Sequence, residues 1–289
     1  MKKTGFVSIC AALAAVLVFV AMPIAGAAVP EAVQFMSADG RTLLTGYVFA
    51  PPAPGRYPAV VMMHGRAGSY SSLKRGPHNA DALTMRHKMW GQFWAERGYV
   101  AIHVDSFGPR GYGDGFGKHS YSSRPQEVSE QLVRPMDAYG ALSYLRTRAD
   151  VAADRIGVQG WSNGGMTVLA AMGPRPPGLQ NPTPTTGFRA ALSIYPGCRV
   201  QAAESDYKPY APLLLAVAEN DDEVSPTVCR GLAESLSSRG APLEFYWYDG
   251  AHHSYDDPGK TKQGHEPNRI ATQDTLRRAE AFFARYLQP

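Results

Sequence analysis

From Ala59 to Leu287 short apolar runs alternate with amphipathic segments, and few architectures accommodate that order. Ala59–Met63 is a continuous apolar run, which suits a strand buried on both faces. Residues 81–97 carry helical spacing and stop at Gly98, a carboxy-terminal cap. Tyr99–Val104 reads as the next strand, followed by a glycine-rich loop over 106–117. A long helix is predicted over 126–148, a strand over 155–159, a helix over 166–172, then a proline-rich excursion from Pro174 to Pro184. Strands at 190–195, 212–218 and 243–248, a helix at 228–238 and a closing amphipathic helix at 272–287 complete the pattern. Ahead of it all, residues 33–49 read as a hairpin turning at Asp39-Gly40. The alternation predicts an α/β fold with a mainly parallel central sheet and helices on both faces. No internal repeat and no independent second domain are visible.

The amino terminus has a different grammar. Lys2 and Lys3 form a basic head, an uncharged apolar run extends from Phe6 to Val20, and Pro23 interrupts it before Ala25-Gly26-Ala27. That is the layout of a cleaved signal peptide over residues 1–27, leaving one domain over 28–289 in the periplasm or outside the cell. The run is shorter than the ~20 apolar residues of a spanning helix, so no stable membrane anchor is expected after cleavage. The formal charge of +4 includes the two lysines of the head. What remains is too small a bias to argue for nucleic acid or an anionic membrane as a partner. Beyond Cys10 only Cys198 and Cys229 are left. One follows a predicted strand and the other opens the helix after the next. A disulfide is expected, with two free buried thiols as the alternative.

The chemistry concentrates at strand ends. Gly160-Trp161-Ser162-Asn163-Gly164 lies between a predicted strand and a predicted helix. A sharp strand-to-helix turn of this kind lifts a serine hydroxyl above the sheet edge, and its crowding demands glycine on either side. A serine hydroxyl attacks only if a base takes its proton. In a Ser…Asp…His order the acid and base come later, and both have candidates. Asp221-Asp222 follows the strand at 212–218, and His252-His253 follows the strand at 243–248. The alternative for the histidines is a turn, or a metal site with Asp256 and Asp257. No third cluster carries zinc-ligand spacing, so no metal is expected. A tetrahedral intermediate also needs two N–H donors on its oxyanion. These are assigned to the backbone of Asn163 and of Arg66, the latter in the loop His64-Gly65-Arg66-Ala67-Gly68. His64 is read as shaping that loop. Asp105 and Arg110 are expected to line the mouth of the site or else to form a buried ion pair or brace their loop, and Arg134 with Asp137 to form an intrahelical pair.

These segments together resemble the dienelactone hydrolase family of α/β-hydrolases. The resemblance is carried by Met62 to Gly68, Val104 to Gly111, Gly157 to Gly165, Pro212 to Leu215, Asp221-Asp222 and Gly250 to Tyr255. It implies the α/β-hydrolase fold and ester hydrolysis. It also implies His253 as the base, because His252 takes the place of an aromatic, and Asp221 as the acid. The family's dienelactone-opening members typically carry a cysteine nucleophile where Ser162 stands and a glutamate where Gly65 stands. They also have an arginine shortly after the histidine, which Ser254-Tyr255-Asp256-Asp257 does not match. The expectation is therefore a serine esterase with a Ser162–His253–Asp221 triad, a small-molecule ester substrate and no cofactor. A peptidase on the same fold is the nearest rival, and a catalytically silent ligand-binding protein the rival from another class.

Overall fold

A computed structural model describes Met1 and residues 29–288, Arg75 excepted. The signal peptide expected over 1–27 lies almost wholly outside the described residues. The chain forms an eight-stranded sheet from β1 (Glu31–Met36), β2 (Leu43–Phe49), β3 (Tyr57–Met63), β4 (Val100–Asp105), β5 (Val151–Trp161), β6 (Ala191–Ile194), β7 (Leu213–Asn220) and β8 (Leu243–His252). Their spatial order is β1-β2-β4-β3-β5-β6-β7-β8. The pairings of β1 with β2 and of β2 with β4 are antiparallel, and all others are parallel. Asp39-Gly40 makes the first hairpin turn, with Gly40 at φ 69°.

The helices are α1 (Met85–Glu96), α2 (Arg134–Thr147), α3 (Asn163–Ala171), α4 (Arg199–Ala203), α5 (Pro226–Ser238), α6 (Lys260–Gln263) and α7 (Glu266–Leu287). On one face α2, α3 and α5 cover the sheet with Ala138, Leu142, Val168 and Leu232; on the other α1 and α7 cover it with Trp90, Trp94, Phe282 and Phe283. β3 shows why its run had to be apolar throughout. Val61 and Met63 join the first layer, Val60 and Met62 the second, and all are buried.

The long helix expected over 126–148 is instead a short turn at Gln126–Val128 followed by α2 from Arg134. Pro135 is the reason. It has no N–H to donate and its ring clashes with the preceding turn, so it belongs in the first turn of a helix and not in its middle. Gly98 ends α1 at φ 78°, a conformation that favours glycine. From β3 the chain crosses outward to β4 and then back past β3 to β5. In such sheets this reversal opens a crevice at the carboxyl ends of the strands, which is where the loops after β3 and β5 meet.

Candidate active site

β5 runs into α3 with a single residue between them. That residue, Ser162, sits at φ 51° and ψ −115°, a conformation that costs a side-chain-bearing residue about 1–3 kcal/mol. The neighbours hold it there: Ser162 N–H donates to the Ile194 carbonyl at 2.9 Å, and the Ser162 carbonyl accepts from Met166 N–H at 2.9 Å. The flanking glycines are obligatory. A Cβ on Gly160 would stand 2.2 Å from the Gly164 carbonyl oxygen, and one on Gly164 would stand 1.9 Å from that of Met63.

His253 follows the last residue of β8 and is buried. Its Nε2 lies 2.9 Å from Ser162 Oγ and its Nδ1 2.7 Å from Asp221 Oδ2. Asp221 is the first residue beyond β7, and its Oδ1 accepts the N–H groups of Glu223 and Val224, both at 2.9 Å. A carboxylate accepting from Nδ1–H leaves Nε2 as the acceptor that faces the serine hydroxyl. The two adjacent pairs separate cleanly. Asp222 is exposed and paired with Lys118 at 2.8 Å. His252 stacks on His265, ring centroids 4.4 Å apart.

Two residues with free backbone donors line the space at Ser162. The backbone N–H groups of Arg66 and Asn163 donate to no other group among the described residues. Asn163 opens α3, so its N–H also carries the positive end of the helix dipole. Gly65 brings the first loop close: a Cβ there would lie 3.5 Å from Ser162 Cβ.

Glu223 was not anticipated, although it continues the acidic run begun at Asp221. Its carboxylate receives Arg66 Nε at 2.6 Å and Nη2 at 2.9 Å, while Arg66 Nη1 donates to the Phe116 carbonyl. Oε2 also stands 3.8 Å from His253 Nε2. Burial raises the Glu223 pKa, but the Arg66 hydrogen bonds and the charges of His253, Arg66 and Lys118 outweigh it and pull it down to about 2. The fork therefore joins the loop after β3 to the loop after β7 with both groups charged.

A second layer supports His253. The Tyr195 ring meets it edge to face at 4.9 Å, and Tyr195 O–H donates to Asp256. Asp256 also accepts from Trp90 Nε1 at 2.8 Å and pairs with Arg86 at 3.1 Å. Asp256 is thus consumed by Tyr195, Trp90 and Arg86, which removes it from any metal site with the histidines. Lys262 Nζ donates to the His253 carbonyl at 2.6 Å. Sequence pattern gave no signal for Arg86 or Tyr195, because each acts through a partner distant in the chain, nor for Lys262, whose contact depends on how the chain turns between it and His253.

One expectation requires correction. Arg134 and Asp137 do not pair. Asp137 faces Arg110, which holds it with two hydrogen bonds of 2.8 Å and also reaches Asp39. Arg134 turns the other way, donating to the His64 carbonyl at 2.6 Å. Three-residue spacing makes an intrahelical pair available, but Arg134 and Asp137 are both buried and Arg110 meets the Asp137 carboxylate with two hydrogen bonds, which a single intrahelical contact does not match. Asp105 and Arg110 are loop braces that do not touch each other. Asp105 accepts from Phe107 N–H, Gly108 N–H and Tyr70 O–H. His64 shapes its loop as read: Nδ1 bonds the Gly65 carbonyl, and Nε2 accepts from Ser106 N–H.

A cavity of about 520 Å³ opens onto Ser162. Its lining combines apolar Met166, Val200, Val224 and Val228 with polar Arg66 and Glu223. Cys198, which lines the cavity, is bridged to Cys229 of α5 with Cα atoms 5.1 Å apart. The bridge ties the start of α4 to α5.

Comparison with known proteins agrees with this architecture. Carboxymethylenebutenolidase of Rhodococcus opacus is 27% identical over 201 residues, covering 67% of this chain and 73% of the relative. A dienelactone hydrolase-like promiscuous phosphotriesterase from metagenomic libraries superposes with a TM-score of 0.63 at 17% identity, covering 90% of this chain and 99% of that one. A thermophilic esterase of Thermogutta terrifontis gives a TM-score of 0.60 at 19% identity, covering 91% and 95%. At these identities the structural likenesses establish the α/β-hydrolase fold. The dienelactone hydrolase family model matches residues 44–287, nearly the whole of the described chain. The chain therefore belongs to the dienelactone hydrolase family and is a hydrolase acting on ester bonds.

Proposed function

We propose that this protein is an exported serine hydrolase that cleaves small carboxylic esters by a two-step acyl transfer through Ser162, His253 and Asp221. The observation that carries the reading is the unbroken chain of contacts from Asp221 to His253 at 2.7 Å and from His253 to Ser162 at 2.9 Å. His253 Nε2 takes the Ser162 proton as Oγ attacks the ester carbonyl, and Asp221 stabilises the imidazolium that forms. The N–H groups of Arg66 and Asn163 receive the oxyanion. His253 then protonates the leaving alcohol, and a water activated by the same base releases the acyl group from Ser162. The apolar lining residues Met166, Val200, Val224 and Val228 suit an acyl or alcohol portion of modest size. Residues 1–27 act as a cleaved signal in this reading, and a single catalytic domain over 28–289 works in the periplasm or outside the cell.

The test combines a fluorophosphonate probe with p-nitrophenyl esters of graded acyl length and a peptide p-nitroanilide. Stoichiometric labelling of Ser162, located by peptide mass, with turnover of esters and none of the anilide is the expected result. Labelling absent, or placed on another residue, contradicts the mechanism. Efficient anilide cleavage reassigns the activity to a peptidase.

A further inference from the structure

Among the described residues, Arg134 is the most anomalous charged side chain. Its guanidinium is fully buried, yet no salt bridge reaches it among the described residues. The nearest carboxylates are already engaged: Glu130 pairs with Arg124 at 2.7 Å, and Asp137 pairs with Arg110. Nε and Nη1 of Arg134 have no partner among the described residues. Nη2 makes one short bond, 2.6 Å to the carbonyl of His64, and the guanidinium lies 5.0 Å from the Phe107 ring centroid. An isolated buried cation is among the costliest arrangements a fold can hold, so a role confined to satisfying one carbonyl does not account for it.

Its position supplies the role. The His64 carbonyl belongs to the peptide unit that leads into Gly65, and Gly65 packs directly against Ser162. A trans peptide is planar, with C=O and N–H on opposite edges, so clamping the carbonyl fixes the plane and limits how the next peptide, which ends in Arg66 N–H, can rotate. His64 holds the same turn from its side chain and does so as a neutral ring, with Nδ1–H given to Gly65 and Nε2 accepting from Ser106. Burial first, and the Arg134 charge second, push its pKa well below the ordinary histidine value. The loop is thus locked from two directions, and the charge behind it is poorly screened by water.

We infer that Arg134 is a positioning residue for the oxyanion hole: it clamps the His64 carbonyl so that Arg66 N–H stays aimed at the Ser162 adduct, and its buried charge favours the developing oxyanion. The inference rests on the Ser162 mechanism proposed above. It assigns Arg134 no contact with substrate. The interaction is therefore worth more when negative charge develops than in the ground state, and its loss should fall on kcat more than on KM.

The experiment compares wild type, Arg134→Met, Arg134→Gln, Arg134→Lys and Ser162→Ala on one p-nitrophenyl ester, with a trifluoromethyl ketone that forms a tetrahedral oxyanion adduct on an active-site serine. Loss of a single oxyanion donor lowers kcat by roughly 100- to 1,000-fold, and misaiming one should give about 30- to 300-fold. Arg134→Met is expected to lose that factor in kcat with KM within about threefold, and to lose ketone affinity by the same factor as kcat/KM. Arg134→Lys, which keeps a charge and a donor, is expected within about tenfold of wild type in kcat. A folded Arg134→Met with kcat within threefold of wild type overturns the inference. If Arg134→Met does not fold, Arg134→Gln, which removes the charge, decides: at least tenfold more ketone affinity lost than substrate affinity supports the inference, and equal losses overturn it. Turnover surviving in Ser162→Ala would instead sink the underlying mechanism, which keeps the two failures apart.

Discussion

Replacing Asp221 with asparagine should nearly abolish turnover without disturbing the fold, and the geometry says why. Asp221 Oδ1 accepts two backbone N–H groups, from Glu223 and Val224, and only Oδ2 faces His253. In Asp221→Asn the amide oxygen must remain at the Oδ1 position, because an NH2 there would meet two donors. The NH2 is then forced to the Oδ2 position, where it points a hydrogen at His253 Nδ1. The imidazole answers by becoming an acceptor at Nδ1 and carrying its proton on Nε2. A protonated Nε2 facing Ser162 Oγ at 2.9 Å cannot take the serine proton. Neutralising a triad acid in this way lowers kcat by about 10⁴-fold, or about 5.5 kcal/mol of barrier. Asp222→Asn is the internal control. It loses one exposed pair with Lys118, a contact of the kind worth at most about 1 kcal/mol, so activity should stay within about tenfold. The assay is kcat on one activated ester at pH 8 for both variants, with circular dichroism checking the fold. A dead Asp222→Asn beside an active Asp221→Asn would reassign the acid, and two active variants would remove the carboxylate from the mechanism.

Three further outcomes are expected. Glu223→Gln removes an anion 3.8 Å from His253 Nε2 and loosens the Arg66 fork, so the acidic limb of the kcat/KM profile should move to lower pH; an unmoved limb contradicts the coupling. The Cys198–Cys229 bridge closes a loop across a sequence separation of 31, worth roughly 3–4 kcal/mol by chain entropy, so the double alanine variant should melt well below wild type. Two titratable thiols in the unfolded, unreduced protein would show that no bridge exists. Buried His64, His87 and His103 are kept neutral, each with its pKa lowered, His87 to about 3. Below about pH 6.5 the unfolded chain binds protons that the folded one does not. Stability should then fall with decreasing pH by up to about 1.4 kcal/mol per pH unit for each histidine, until each folded-state pKa is passed. A denaturant midpoint unchanged between pH 7 and pH 5 would refute the burial argument.

What the sequence showed and what it concealed divide along a physical line. Features written in contiguous residues were legible. The apolar run of β3, the glycines beside Ser162 and the cap at Gly98 each follow from constraints acting within a few residues. Pro135 was equally local; it marked the start of α2, and helical periodicity upstream concealed it. Partners chosen across the fold were not legible. Arg66 with Glu223, Arg110 with Asp137 and Arg86 with Asp256 are separated by long stretches of chain, and nothing in their spacing announces them. The segment 260–264 falls in the same class, since α6 and the Lys262 contact to His253 depend on what that segment meets.

The account's central claim is that Ser162 is the nucleophile, and Ser162→Ala tests it most directly. The substitution removes Oγ from a contact with His253 while leaving the rest of the turn, so the fold should persist with an unchanged circular dichroism spectrum. Measured on a p-nitrophenyl ester against wild type, kcat should fall by several orders of magnitude, because triad members act as a unit. Turnover within tenfold of wild type would contradict the claim and require another residue to carry the attack.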